Sequence, residues 1–270
     1  MIQWACPCNG SEDNMNTGHV RCSSSEGLTI GNHKTIYERS SGLTLGRNKP
    51  ISSRGSSMSL CLSLIRNGEV YLAADSRLSD IISTDSHGNI LQSNIKSDNF
   101  QKLFVINETT ALFQTGQGEY CDDNRTFADV LKTINFTGMT LPDIAKTLND
   151  SFAPLLDSGS DLSICIFSME TGALKIANVD VGITVKISEY IVYPPDNIFK
   201  WERQGMNWTS DIIENIHEED PALFIKTVYK NVYKQRDKHD FTIGGPVRIL
   251  KLTSNGYEWI EKRLIIEQKQ

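Results

Sequence analysis

The sequence lacks the run of roughly 18 apolar residues that a membrane-spanning helix needs, and its N-terminus lacks the apolar core of a secretory signal. No membrane contact is therefore expected. Basic charge is also short, because 27 Lys/Arg stand against 33 Asp/Glu for a net charge of −6. Binding a phosphate backbone requires a basic surface, so no nucleic-acid partner is expected. The shortage is uneven: residues 1–58 carry a net +2, which leaves −8 for residues 59–270. Six cysteines are present without the spacing of a disulfide framework, which points to a reduced, cytoplasmic or nuclear setting. Asn-x-Ser/Thr sequons, among them Asn107, Asn124, Asn135, Asn149 and Asn207, would matter only in a secreted chain. What remains is ordinary for a globular protein, with 39% hydrophobic and 22% charged residues. At 270 residues the chain can bury a proper core in one large domain or two small ones.

The first boundary falls near residue 58. Residues 1–58 are rich in Ser, Gly, Asn and Thr and hold no sustained period of 2 or 3.6. Such a composition does not bury enough apolar surface to offset the entropy of ordering, so a disordered or propeptide-like leader is expected. Cys6, Cys8, His19 and Cys22 are zinc-ligand types. Their spacing matches no common finger and Pro7 stiffens the Cys6/Cys8 pair, so no metal and no cofactor is expected.

From residue 59 the pattern sharpens into one domain, 59–270. Leu60, Leu62 and Leu64 alternate with Ser59, Cys61 and Ser63, the period of a strand. Asn67-Gly68 is a hairpin turn signal, and Val70 to Ala74 forms the return strand. A second hairpin is predicted from Lys102 to Thr115 around Asn107-Glu108, ended by Gly116. Phe127, Val130, Leu131 and Ile134 then form one helical stripe. Thr140 opens a capping pattern ahead of a second stripe through Leu141, Ile144, Ala145, Leu148, Phe152 and Leu155. Strands return over 162–167, 174–179 and 183–192, with turns at Thr171-Gly172 and Val181-Gly182. Helices are expected over 210–217 and from Asp220-Pro221 onward, the latter with the stripe Phe224, Ile225, Val228, Tyr229 and Val232, and two strands (247–252 and 257–260) close the chain. Blocks of strands separated by blocks of helices argue for an α+β class. Two antiparallel blocks and two helix pairs predict a four-layer αββα sandwich.

The first hairpin runs into Ala73-Ala74-Asp75-Ser76-Arg77. With the preceding Gly68-Glu69-Val70-Tyr71-Leu72, this segment resembles proteasome-type subunits, members of the N-terminal nucleophile (Ntn) hydrolases. Gln101-Lys102-Leu103-Phe104-Val105-Ile106 resembles the strand that carries that family's catalytic lysine. Gln114-Thr115-Gly116 resembles its glycine turn, fourteen residues after Lys102, and Asp240 with Gly244-Gly245 resembles its late aspartate and paired glycines. The likeness covers roughly residues 59–260.

The resemblance implies a mechanism. The nucleophile is the first residue of the mature chain, and its own α-amine, with an ordinary pKa of about 8, serves as base. Ser59 stands sixteen residues before Asp75, the family's separation, and is the implied nucleophile. Cys61, on the same strand face, is the second candidate. Lys102 would sit beside the nucleophile, Asp75 would hold its charge, and the Gly116 N–H would steady an oxyanion. Asp240 completes the implied catalytic set. The implied substrate is a peptide or protein, and other proteasome-like subunits are the implied partners. Exposing the amine requires cleavage before Ser59 or a start at Met58. Gly55-Ser56, the nearest match to a processing site, lies three residues early.

Three departures set the alternatives. Ile243 stands where the family usually has serine, with Thr242 one place off. Gln204-Gly205-Met206-Asn207 lacks the serine of a Gly-Ser-Gly turn, and residues 78–100 form a long polar insert. The expected function is therefore an amide-bond hydrolase using Ser59. A non-catalytic proteasome-like structural subunit is the alternative, and a small-molecule amidase is a third reading, since a fold alone does not fix the substrate.

Overall fold

The computed structural model describes residues 34–40, 59–66, 68–84, 90–120, 125–157, 160–170, 173–191, 200–205, 212, 215–235 and 242–264. These residues belong to the α+β class, with two principal antiparallel sheets and three α-helices described.

The five-stranded sheet is built on the first hairpin. Strands β2 (Leu60–Arg66) and β3 (Glu69–Ala74) pair from Arg66↔Glu69 to Cys61↔Ala74. Gly68 turns between them at φ 76°, a value an L side chain adopts only with strain. Asn67 lies outside the described residues. Beside β3 runs β14 (Val247–Thr253), followed by β15 (Gly256–Leu264). The opposite edge is β13 (Lys200–Gly205), paired with β2 from Lys200↔Ile65 to Gly205↔Leu60. The sequence pattern did not predict β13, because Lys-Trp-Glu-Arg-Gln-Gly alternates too weakly to mark a strand.

The six-stranded sheet is ordered β1-β12-β11-β10-β7-β6. Its members are β1 (Lys34–Ser40), β6 (Leu103–Asn107), β7 (Thr110–Gly116), β10 (Leu162–Glu170), β11 (Ala173–Asp180) and β12 (Thr184–Ile191). The β6–β7 turn is fixed by Asn107, whose side-chain oxygen accepts the Thr109 N–H at 3.0 Å. Strand β1 falls inside the segment expected to be a disordered leader and pairs with β12 from Lys34↔Glu189 to Ser40↔Thr184. Within these seven residues Thr35, Ile36 and Tyr37 are strand formers, and β12 supplies the backbone partners. Residues 1–33 and 41–58, including the zinc candidates, lie outside the described residues.

The polar insert is also strand. Among the described residues β4 (Leu78–Thr84) and β5 (Ile90–Ser97) pair only with each other, with register shifts along the hairpin. Two-residue strands β8 (Glu119–Tyr120) and β9 (Arg125–Thr126) form a last small pair.

Helices α1 (Phe127–Lys132) and α2 (Leu141–Phe152) open with reciprocal capping boxes, Thr126 with Asp129 and Thr140 with Asp143. Helix α1 is shorter than its stripe, and Ile134 packs on the same cluster from beyond its end. Helix α3 (Pro221–Gln235) starts at a proline, which costs nothing where the N–H has no helical partner. Asp220 accepts the Leu223 N–H at 2.7 Å ahead of it. Of the helix expected over 210–217, Ile212 is helical and buried, residues 215–217 are non-helical, and the rest lies outside the described residues.

Three apolar clusters organise the interior. One joins α1 and α2 to the six-stranded sheet through Phe127, Leu148 and Phe152 against Leu112, Ile164 and Val179. A second joins α3 to the five-stranded sheet through Phe224, Val228 and Tyr229 against Leu60, Leu62 and Ile249. The third holds residues of both sheets, Cys61, Leu72 and Leu250 with Phe113, Phe167 and Ile176. Each fully buried large apolar side chain contributes about 1.5–3 kcal/mol. The alternation along β2 therefore sends the leucines toward α3 and leaves Cys61 facing the other sheet. No described helix is long and apolar enough to cross a membrane.

Candidate active site

Asp75 follows β3 immediately, and both its carboxylate oxygens are fully engaged. Lys102 Nζ stands 3.0 Å from Oδ1 and 3.0 Å from Oδ2. Oδ1 also accepts the Leu60 N–H at 3.0 Å, and Oδ2 accepts the N–H groups of Arg77 and Gly244, each at 3.2 Å. The side chains are 0% and 1% exposed for Asp75 and Lys102, so the pair is buried from bulk solvent. Burying either charge alone would cost several kcal/mol, and the three backbone donors make the carboxylate tolerable there. The expectation that Asp75 ends the hairpin to meet Lys102 is met.

The rest of the Asp75-Ser76-Arg77 segment anchors two distant loops. The Ser76 N–H donates to the Gly244 carbonyl at 3.1 Å, and its hydroxyl stands 2.8 Å from the Asp98 carbonyl oxygen and 2.6 Å from that of Pro246. The Arg77 guanidinium grips both Asp98 carboxylate oxygens, Nε at 2.6 Å and Nη2 at 3.0 Å. Gly244 lies against that guanidinium, and a Cβ on it would come 2.4 Å from the central carbon. The paired glycines are thus required by Arg77 on one side and by Gly245 at φ 71° on the other. Asp98 closes the β4–β5 insert, so the insert is riveted to the site at its base. Farther along the hairpin it exposes Ile82, Leu91 and Ile95.

Ser59 directly precedes the Leu60 amide that Asp75 holds. It is 1% exposed, and its Oγ has no hydrogen-bond partner among the described residues. Cys61, the second candidate, is fully buried with Sγ 3.9 Å from the Gln114 carbonyl oxygen. Burial drives its thiol far above its ordinary pKa; the Lys102 charge opposes this only in part, and Asp75 adds to it. A thiol held protonated and sealed from solvent is no nucleophile.

Gly116 ends β7 at φ 95°, and a Cβ there would stand 2.3 Å from the Asp161 carbonyl oxygen. The Gln117 N–H bonds that same oxygen at 2.7 Å, and the Gln117 amide pairs with Asp157. Ser59 and Gly116 each lie two residues from the Cys61–Gln114 contact, Ser59 just ahead of β2 and Gly116 at the end of β7. Asp240 and Met206 lie outside the described residues. Ile243 packs fully buried in the cluster beneath α3, and Thr242 beside it is also fully buried.

Sequence reasoning missed three contributors. Gly244 was a landmark and proves a donor to Asp75. Arg77 and Asp98 form a brace that spacing could not pair. Tyr229, one of the stripe residues of α3, donates its hydroxyl to the Leu60 carbonyl at 2.6 Å. Its position in an apolar stripe marked it as core and carried no polar signal. No protein-family model matches the chain, and no curated protein shows a significant match to it.

Proposed function

We propose that the chain is an amide-bond hydrolase of the N-terminal nucleophile class, built as a proteasome-type αββα sandwich and acting on a peptide or protein. One observation carries the reading: a buried Asp75–Lys102 pair whose carboxylate also holds the amide next to Ser59. The three clusters, helix against sheet, sheet against sheet and sheet against helix, support the four layers. In this reading cleavage before Ser59 frees its α-amine, which takes the hydroxyl proton near neutral pH. Oγ then attacks the amide carbonyl, the amine passes the proton to the leaving nitrogen, and water hydrolyses the resulting ester. Asp75 keeps Lys102 charged beside the developing alkoxide. The Gly116 turn is the proposed oxyanion-stabilising element, and Asp240 is proposed as the late aspartate of the site.

The decisive experiment is intact-mass and N-terminal analysis of the purified protein, joined to labelling by an amide-hydrolase electrophile. A chain beginning at Ser59 that is labelled, with labelling lost in Ser59→Ala, supports the hydrolase. A second reading, a non-catalytic subunit of a proteasome-like assembly, is favoured by the buried Ser59 Oγ, which has no hydrogen-bond partner among the described residues. A chain that keeps residues before Ser59 and takes no label would select it.

A further inference from the structure

Helix α3 carries two tyrosines one turn apart, Tyr229 and Tyr233, and both hydroxyls reach backbone carbonyls beside Asp75. Tyr229 donates to Leu60 O at 2.6 Å and Tyr233 to Gly245 O at 2.9 Å. The rings meet edge to face, with centroids 6.1 Å apart at 90°. The targets are related. Leu60 supplies the N–H on Asp75 Oδ1, and Gly244, the neighbour of Gly245, supplies an N–H on Oδ2. The Asp75 N–H also donates to Leu60 O at 3.2 Å. The main chain on each side of the carboxylate is therefore tied back to the same face of one helix.

Ordinary core packing does not account for this. Burial of the Tyr229 phenol, 0% exposed, pushes its pKa far up and keeps the hydroxyl a donor. Phenylalanine would fill the same space without a polar atom to satisfy. The hydroxyls instead answer a geometric need, because a carboxylate that accepts several donors fixes its own orientation only if those donors are fixed.

Resting on the hydrolase reading above, we propose that Tyr229 and Tyr233 are a positioning pair. They set the orientation of the Asp75 carboxylate, and through it of Lys102 and the peptide that presents Ser59. They touch no substrate and act through the main chain on each side of the carboxylate.

The test compares Tyr229→Phe, Tyr233→Phe and the double variant with Val228→Ala, which loosens the same helix without touching either carbonyl. Two quantities are followed on the protein expressed from the full-length chain: amide exchange of segments 59–66 and 242–250 by mass spectrometry, and the labelling rate of Ser59 by a fluorophosphonate probe. Tyr229→Phe is expected to speed exchange in 59–66, and Tyr233→Phe in 242–250, each about tenfold, the scale of one lost hydrogen bond. Each should slow labelling by a similar factor, and the double variant should lose less than the product, since both act through Asp75. Val228→Ala should lower the melting temperature and leave the labelling rate unchanged. Wild-type exchange and labelling in both single variants would overturn the proposal, as would an equal labelling loss in Val228→Ala. If the wild-type protein takes no label, the hydrolase reading fails, and exchange alone decides the clamp.

Discussion

Lys102 Nζ lies 3.0 Å from both oxygens of Asp75 in a site buried from bulk solvent, although 27 residues separate the two. Removing one partner leaves the other charged and buried, the costly case for an ion pair. Lys102→Met is therefore expected to lose about 3–5 kcal/mol of stability. The exposed pair Lys146–Asp150 on α2 gives the contrast, and Lys146→Met should cost less than about 1 kcal/mol. Urea unfolding of both variants checks the difference, and equal losses would show that the pair is not sealed from solvent.

The buried Ser59 hydroxyl, without a partner among the described residues, predicts an unusual pair of effects. Burying an unsatisfied hydroxyl costs about 1–3 kcal/mol, so Ser59→Ala should leave stability unchanged or raise it. The same variant should abolish labelling by an amide-hydrolase electrophile, while Cys61→Ala should retain it. Thermal melting and intact mass after labelling read both effects. A clear loss of stability in Ser59→Ala would mean that the hydroxyl has a partner.

Most of this site was legible because its parts are short-range. Ala73 to Arg77 announces a strand end, and the alternation through Leu60, Leu62 and Leu64 fixes which face meets α3. The capping box at Thr140 was readable for the same reason, since it is complete within four residues. What escaped depends on partners far along the chain. Tyr229 reaches a carbonyl 169 residues away, and a carbonyl has no letter in a sequence. Arg77 and Asp98 are two charges among many until the β4–β5 hairpin folds back. Strands β1 and β13 lie at sheet edges, where pairing with β12 and β2 supplies what their own alternation does not.

The glycines divide into those the backbone needs and those a neighbour needs. Gly116→Ala must accommodate both a φ of 95° and a Cβ 2.3 Å from the Asp161 oxygen, so backbone has to move. Gly244→Ala instead collides with the Arg77 side chain, which can give way only by leaving Asp98. Both variants should be destabilised, by about 1–3 kcal/mol for the strained dihedral alone in the first case. They should differ at the insert. Limited proteolysis should cut the β4–β5 hairpin faster in Gly244→Ala but not in Gly116→Ala, and equal cutting would deny that Arg77–Asp98 anchors it.

Cys61 supplies a prediction in pH. Its ordinary pKa is 9.0, and burial between the sheets moves the folded value far upward despite the nearby Lys102 charge. A group whose folded pKa is raised contributes stability that is complete below the unfolded value and lost as pH climbs from there toward the folded one. Unfolding free energy should thus fall between about pH 9 and 11 more steeply in the wild type than in Cys61→Ala, which has no thiol there to ionise. Other groups titrate in the same window, Tyr71, Tyr120 and Tyr229 among them, all with raised pKa values. Only the difference between the two proteins isolates the thiol. Iodoacetamide should leave folded Cys61 unmodified at pH 9 and alkylate it in urea, because the reagent needs a thiolate that the folded interior does not allow. Rapid alkylation of the folded protein would mean that the space between the sheets opens to solvent at Cys61, and Ser59 two residues away would then be accessible by the same route.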